Sequence, residues 1–177
     1  MKRFAINFGL ITVAFIIYFL QENFFDWFTI GGVMPNLFVI YVLFIGLFSG
    51  RNKGIAYGIE IGLMLDIVVG DVIGIYTVTL GIVGLVSGIF AKNFSKDSKL
   101  TIMIMVGILT FAFELIVYLL NYFILKINLE LLIFIRIVLI EVLYNVLLAI
   151  IFYPLLKKLG YYIENEYQED KILTRYF

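Results

Sequence analysis

Apolar residues fall in six long runs along this chain, each bounded by charges. The runs cover residues 4–20, 35–49, 54–70, 72–91, 100–125 and 131–156. A membrane-spanning helix needs about 20 mostly apolar residues to cross roughly 30 Å of hydrocarbon, so the pattern predicts six spanning helices. The second and third runs meet at Gly50-Arg51-Asn52-Lys53-Gly54. Fusing them would put Arg51 and Lys53 at mid-membrane, at about 2.5–3.5 kcal/mol each. A tight loop with a glycine at either end avoids that cost. The third and fourth runs meet in a second glycine-flanked turn, Gly70 to Gly74.

The placement of basic residues orients the helices. Lys2 and Arg3 precede the first run, while residues 21–34 hold Glu22 and Asp26 but no Lys or Arg. Arg51 and Lys53 come next, then a turn with Asp71 alone, then Lys92, Lys96 and Lys99. Lys126 stands beside Glu130, and Lys157-Lys158 ends the sixth run. Basic and basic-poor loops alternate, which by the positive-inside rule places both termini in the cytoplasm. The expected architecture is all-α and polytopic: one six-helix domain over residues 1–158 and a cytoplasmic tail over 159–177. The first run lacks a small-x-small cleavage site and reads as an uncleaved helix. In the tail, Leu159, Ile163 and Tyr167 recur at helical spacing, so the last helix is expected to run on past the membrane.

Composition narrows the function. Hydrophobic residues make up 63% and charged residues 15%, against roughly 45–50% and about 25% in soluble domains. Mean hydropathy is +1.09. A soluble enzyme, a nucleic-acid-binding domain, a secreted disulfide scaffold and a disordered chain are excluded. The chain has no Cys and no His, which removes thiol chemistry, the commonest general base and the commonest transition-metal ligand. There is no phosphate-binding loop or dinucleotide fingerprint. Ser49, Ser87, Ser95 and Ser98 lack a nucleophile-elbow context. No catalytic residue, cofactor or metal is expected.

Several features carry two readings. The aromatic segment 24–30 (Phe24, Phe25, Trp27, Phe28, Ile30) reads as an interfacial anchor or as a docking surface for an extracytoplasmic partner. Gly58 with Gly62, and Gly84 with Gly88, are candidate helix-packing pairs, within the bundle or against a partner. Glu60, Asp66, Glu114, Arg136, Glu141 and Asn145 form a candidate intramembrane polar network, because charges at depth normally face the bundle interior. Helical rise puts Asp66 about 18 Å, Glu114 about 21 Å and Arg136 about 22 Å from the cytoplasmic edge. Arg136 is therefore expected to pair with one or both of those carboxylates. Glu60 and Asn145 share a level about 9 Å from the inner edge and are expected within reach of each other. Glu141 has no cation at its level, and its protonation, like that of Glu60, stays open. The network serves either to satisfy itself and fix helix register or to line an ion path or polar cavity.

Over nearly the whole chain, and most strongly from Pro35 to Gly88, the sequence resembles the MreD family of bacterial rod-shape-determining proteins. Pro35-Asn36-Leu37 opens the second helix. Spaced Gly54, Gly58 and Gly62 lead to Asp66, and Gly74 follows. Asn145 lies in the last helix, and Pro154 precedes the basic exit. The resemblance implies a non-enzymatic scaffold of the wall-elongation machinery in the bacterial cytoplasmic membrane. It implies binding to the bitopic protein MreC, within a wider assembly of MreB filaments, RodA and a penicillin-binding transpeptidase. It also implies a fold similar to the substrate-binding subunits of ECF vitamin transporters, and such a subunit is the alternative function. A small proton or ion channel is a third class, resting only on the buried carboxylates.

The topology makes a direct prediction, since the chain has no Cys to replace. Asn23→Cys and Asn128→Cys should react with a membrane-impermeant maleimide added outside intact cells, whereas Asn52→Cys and Asp97→Cys should not. External labelling at position 52 would overturn the six-span arrangement.

Overall fold

The computed structural model describes residues 2–70, 72–93, 96–126 and 130–173. Expectations resting on Asp71, Ser95 and Asn128, and on the side chains of Lys2, Arg3 and Lys92, lie outside it. Six α-helices follow one another: α1 (Lys2–Asn23), α2 (Leu37–Ser49), α3 (Arg51–Val68), α4 (Ile75–Asn93), α5 (Lys99–Leu120) and α6 (Leu131–Leu173). A 3₁₀ turn spans Phe25–Phe28 and a π-helical turn extends α5 over Asn121–Leu125. Among the described residues the only β-type pairing is a bridge between Ile30 and Val33, closed around Gly31 and Gly32. Stretches of α1, α5 and α6 are long and apolar enough to cross a membrane, and α2 and α4 supply shorter apolar helices. The end of the bundle holding the start of α1, Gly50 and residues 96–98 is called proximal below, and the opposite end distal.

Two boundaries differ from the sequence expectation, and the extension of the last helix agrees with it. Gly50 alone makes the α2–α3 turn, at φ 84°, a left-handed conformation that costs glycine little. Arg51 to Gly54 already belong to α3, and Gly54 serves packing instead. The fourth helix begins at Ile75 because residues 72–74 turn toward Asp66. The sixth helix continues through Pro154 to Leu173, so the expected tail is helical over most of its length.

That extension folds against the proximal end. Gly160 lies under the ring of Phe48, and Tyr161 meets the same ring edge-on at 5.2 Å. Lys96 pairs with Glu164 at 2.7 Å, and Lys157 pairs with Asp97. The hydrogen bond from the Lys157 ammonium holds the Asp97 carboxyl below the usual carboxylate range. The Tyr167 hydroxyl donates to Asn7 Oδ1 at 2.6 Å, tying α6 back to α1.

The core is built around α2, in which every residue from Phe38 to Phe48 is buried. It is apolar all round, as a helix enclosed on every side must be, and it packs against the other five helices. The closest pair is α3 with α4. A Cβ on Gly54 would strike the backbone of Gly84, one on Gly58 the carbonyl of Leu80, and one on Gly62 the backbone of Tyr76 and Thr77. Gly88 lies against the backbone of Arg51. Small residues let backbones approach where hydrophobic burial between helices gives no drive. Gly58, Gly62, Gly84 and Gly88 thus all sit in contacts inside this chain.

Gly58→Ala should lower thermal stability in detergent by about 1–3 kcal/mol, the usual cost of overpacking. Gly9→Ala, where an added methyl meets nothing within 4 Å, should be neutral or stabilising. Equal melting temperatures for the two variants would contradict the α3–α4 packing.

Candidate functional site

With 13 residues, α2 is about 20 Å long and begins inside the bundle. Its first amides have no intrahelical partner, and they are met by side chains. The Asn36 side chain accepts from Val39 N at 3.3 Å. Asn36 N donates to Asn145 Oδ1 at 2.8 Å, and Leu37 N donates to Gln21 Oε1 at 3.1 Å. Asn145 then passes its own amide hydrogen to Thr110 Oγ1 at 3.0 Å. Asn145 and Thr110 are fully buried. Pro35 is buried just before the cap, and it brings no N–H that would need a partner.

Two carboxyls lie on the distal side of this cluster. Glu114 follows Thr110 by four residues on α5, and Glu141 precedes Asn145 by four on α6, so each shares a helix face with its neighbour. The carboxyls of Glu114 and Glu141 are within hydrogen-bonding reach, and the Asn36 side chain faces Glu141. Glu141 is 5% exposed, and its Oε1 is buried without a hydrogen-bond partner. The segment after α1 covers the cluster. Phe25 is buried against Tyr144, whose hydroxyl donates to the Phe28 carbonyl at 2.8 Å.

A second polar cluster sits where α3 meets the start of α4. Asp66, 2% exposed, accepts from Gly74 N at 2.8 Å, Tyr76 N at 2.8 Å, Thr77 N at 3.0 Å and Thr77 Oγ1 at 2.5 Å. A carboxylate at the first turn of a helix completes free amides and meets the positive end of the dipole. Gly74, at φ 119°, lets the chain turn into that position.

Two expected pairings and one expected isolation are corrected. Arg136 is exposed and donates to the Gly31 carbonyl at 3.3 Å; among the described residues it forms no ion pair with Asp66 or Glu114. Both level and direction were off: Glu141, five residues along α6 and so about 7.5 Å nearer the proximal end, is the residue that stands opposite Glu114. Five residues separate Arg136 from Glu141, a rotation of about 140° at 100° per residue, so Arg136 points away from the buried face. Glu60 is exposed and does not meet Asn145. It lies about 200° round α3 from Gly58, and the glycines face inward. Glu141 meets a second carboxyl where no partner was expected.

Thr77, Thr110 and Gln21 were missed by the sequence reading. Thr110 had a weak signal in its four-residue spacing from Glu114; Gln21 and Thr77 had none. Among the described residues no group of three or more His, Cys, Asp or Glu side chains is gathered to hold a metal. Chemically the clusters accept and relay hydrogen bonds.

Asn145→Ala would strand the Asn36 amide and the Thr110 hydroxyl, and Asp66→Ala would strand three backbone amides. Each unmatched buried group costs about 1–3 kcal/mol. Both variants should lose several degrees of melting temperature in detergent relative to Glu60→Ala, measured by fluorescence-detected size exclusion after heating. Parity with Glu60→Ala would mean that the clusters do not support the fold.

No curated protein and no solved structure matches the chain. The family described as rod shape-determining protein MreD matches residues 2–163. That match takes in Pro35-Asn36, the α3 glycines, Asp66, Gly74, Asn145 and Pro154, and the chain belongs to the MreD family of rod-shape-determining membrane proteins.

Proposed function

We propose that this protein is a non-enzymatic scaffold of the cell-wall elongation machinery in the bacterial cytoplasmic membrane, and that it maintains rod shape by binding the bitopic protein MreC. The family membership carries this reading. In the proposed orientation the chain crosses six times, with the proximal end and both termini in the cytoplasm. The alternation of basic loops supports that orientation. MreB, RodA and a penicillin-binding transpeptidase complete the assembly around the MreC contact.

The polar side chains at the starts of α2 and α4 are spent on backbone amides, which suits binding better than chemistry. The distal segment offers a surface for the partner. Trp27 is 86% exposed, and Phe24, Phe28 and Ile30 are exposed beside it. Aromatic side chains at headgroup depth supply contact area to a membrane-proximal segment as it leaves the bilayer.

Depletion in the native cell should round or swell the cells and disperse MreC from its normal sites. Re-expression of a Trp27→Ala/Phe28→Ala variant should recover several-fold less MreC on affinity purification than the wild-type chain at equal membrane abundance. Normal shape after depletion, together with tight vitamin binding by the purified chain, would replace this reading with the ECF-type substrate-binding subunit.

A further inference from the structure

We propose that the outward face of α3 is a docking surface for one transmembrane helix of a partner protein, and that Glu60 at its centre receives a Lys or Arg side chain from that helix. Asn52, Ala56, Ile59, Glu60, Leu63 and Ile67 are all exposed. Their spacings of three and four place them along one stripe, on the side of α3 away from the glycines that meet α4. Glu60 stands about 13 Å along the helix from Arg51 at the proximal end, and the stripe runs for about 22 Å. A charged side chain at such depth normally faces the interior of its bundle, but this one faces out. Among the described residues Glu60 has no hydrogen bond and no ion pair. Lys53, two turns toward the proximal end, lies over the Tyr167 ring.

Charge complementarity identifies the occupant. A carboxylate facing hydrocarbon is costly, and a cation brought against it in a poorly solvated place offsets that cost by direct attraction. Lipid tails bring neither a charge nor a hydrogen-bond donor. Lipid headgroups stay at the membrane surface, about 13 Å short of Glu60. A second copy related by a two-fold axis along the membrane normal would hold equal levels face to face and set Glu60 against its own counterpart. A helix from a different protein is under no such restriction and can present a cation at this level. Ala56, one turn from Glu60 on the same stripe, lets that helix come close. Ile59, Leu63 and Ile67 are 43%, 41% and 66% exposed and supply the apolar packing around the ion pair. The inference rests on the scaffold reading only for the identity of the partner, MreC, whose bitopic chain brings one such helix.

The test uses the full chain in native membranes, with the photo-reactive residue benzoylphenylalanine at position 63 or 67. Position 108, exposed on α5, is the control. Irradiation should join positions 63 and 67, but not 108, to MreC, and mass spectrometry should place the cross-link in the membrane-spanning segment of MreC, within two turns of a Lys or Arg. E60Q should lower the yield several-fold and E60R should lower it to the control level. Exchanging the identified MreC cation for Glu should restore the yield to E60R. Should E60R fail to fold, as read by size exclusion, E60Q in its place, with the same MreC cation changed to Ala in a second experiment, decides by the same fall in yield. A yield indifferent to these changes overturns the proposal, as do cross-links at 63 and 67 to lipid alone or to a second copy of the chain. MreC that co-purifies but cross-links only elsewhere overturns the α3 surface and leaves the scaffold reading standing. A cross-link that depends on Glu60 but joins a basic transmembrane helix of another protein, with no MreC recovered, overturns the MreC reading and supports the surface.

Discussion

The start of α2 lies inside the protein, and its unpaired amides have to be satisfied there. An amide left bare in a lipid-like interior costs several kcal/mol. A helix of about 20 Å also cannot fill the roughly 30 Å of a bilayer core, so other chain must occupy the distal part of the bundle. The segment after α1 does this, with Phe25, Val33 and Pro35 buried above α2. Asn36, Asn145 and Gln21 then take the places that water would fill at an exposed helix start. The positions of α1 and α6 follow from the need to bring Gln21 and Asn145 to that point, and α5 follows because its Thr110 takes the Asn145 amide.

The two interior helix starts are solved with different chemistry. At α2 the caps are neutral amides, which both accept and donate, so Asn145 can take the Asn36 amide and still bond Thr110. At α4 the cap is a carboxylate, which only accepts, and four donors converge on it. The difference matches what lies nearby. A third carboxylate beside Glu114 and Glu141 would add like charge to the pair, whereas Asp66 meets amides and a hydroxyl alone.

Gly54, Gly58, Gly62 and Asp66 are spaced by four, so they lie along one stripe of α3. The glycines let α3 and α4 close to backbone contact, and that approach carries Asp66 to the first amides of α4. A methyl on any of the three would separate the helices and lengthen the Asp66 hydrogen bonds. The spaced glycines and the aspartate of the family pattern act here as one device. The same geometry turns Glu60 outward, so one stripe accounts for a buried carboxylate and an exposed one on the same helix.

What the amino-acid order determines by itself is the membrane class, the number of helices and the family. Apolar runs and charged boundaries are local properties, and the order Pro35-Asn36, Gly58, Gly62, Asp66, Gly74, Asn145 survives without any coordinates. Level within the bundle was legible only to within one or two turns, because the rise per residue is constant but where each helix sits along the bundle axis is set by its neighbours. Azimuth was not. Whether Arg136 faces Glu114 or the distal hairpin depends on how α6 is rotated against five neighbours, and rotation is settled by packing. The tertiary structure alone decided that Asn36 meets Asn145 across 109 residues of chain and that Glu141 faces Glu114. It also made Gly54 a contact point and left the turn to Gly50. In each case the reason is the same: a hydrogen bond or a close backbone approach between distant segments exists only once the helices have chosen their faces.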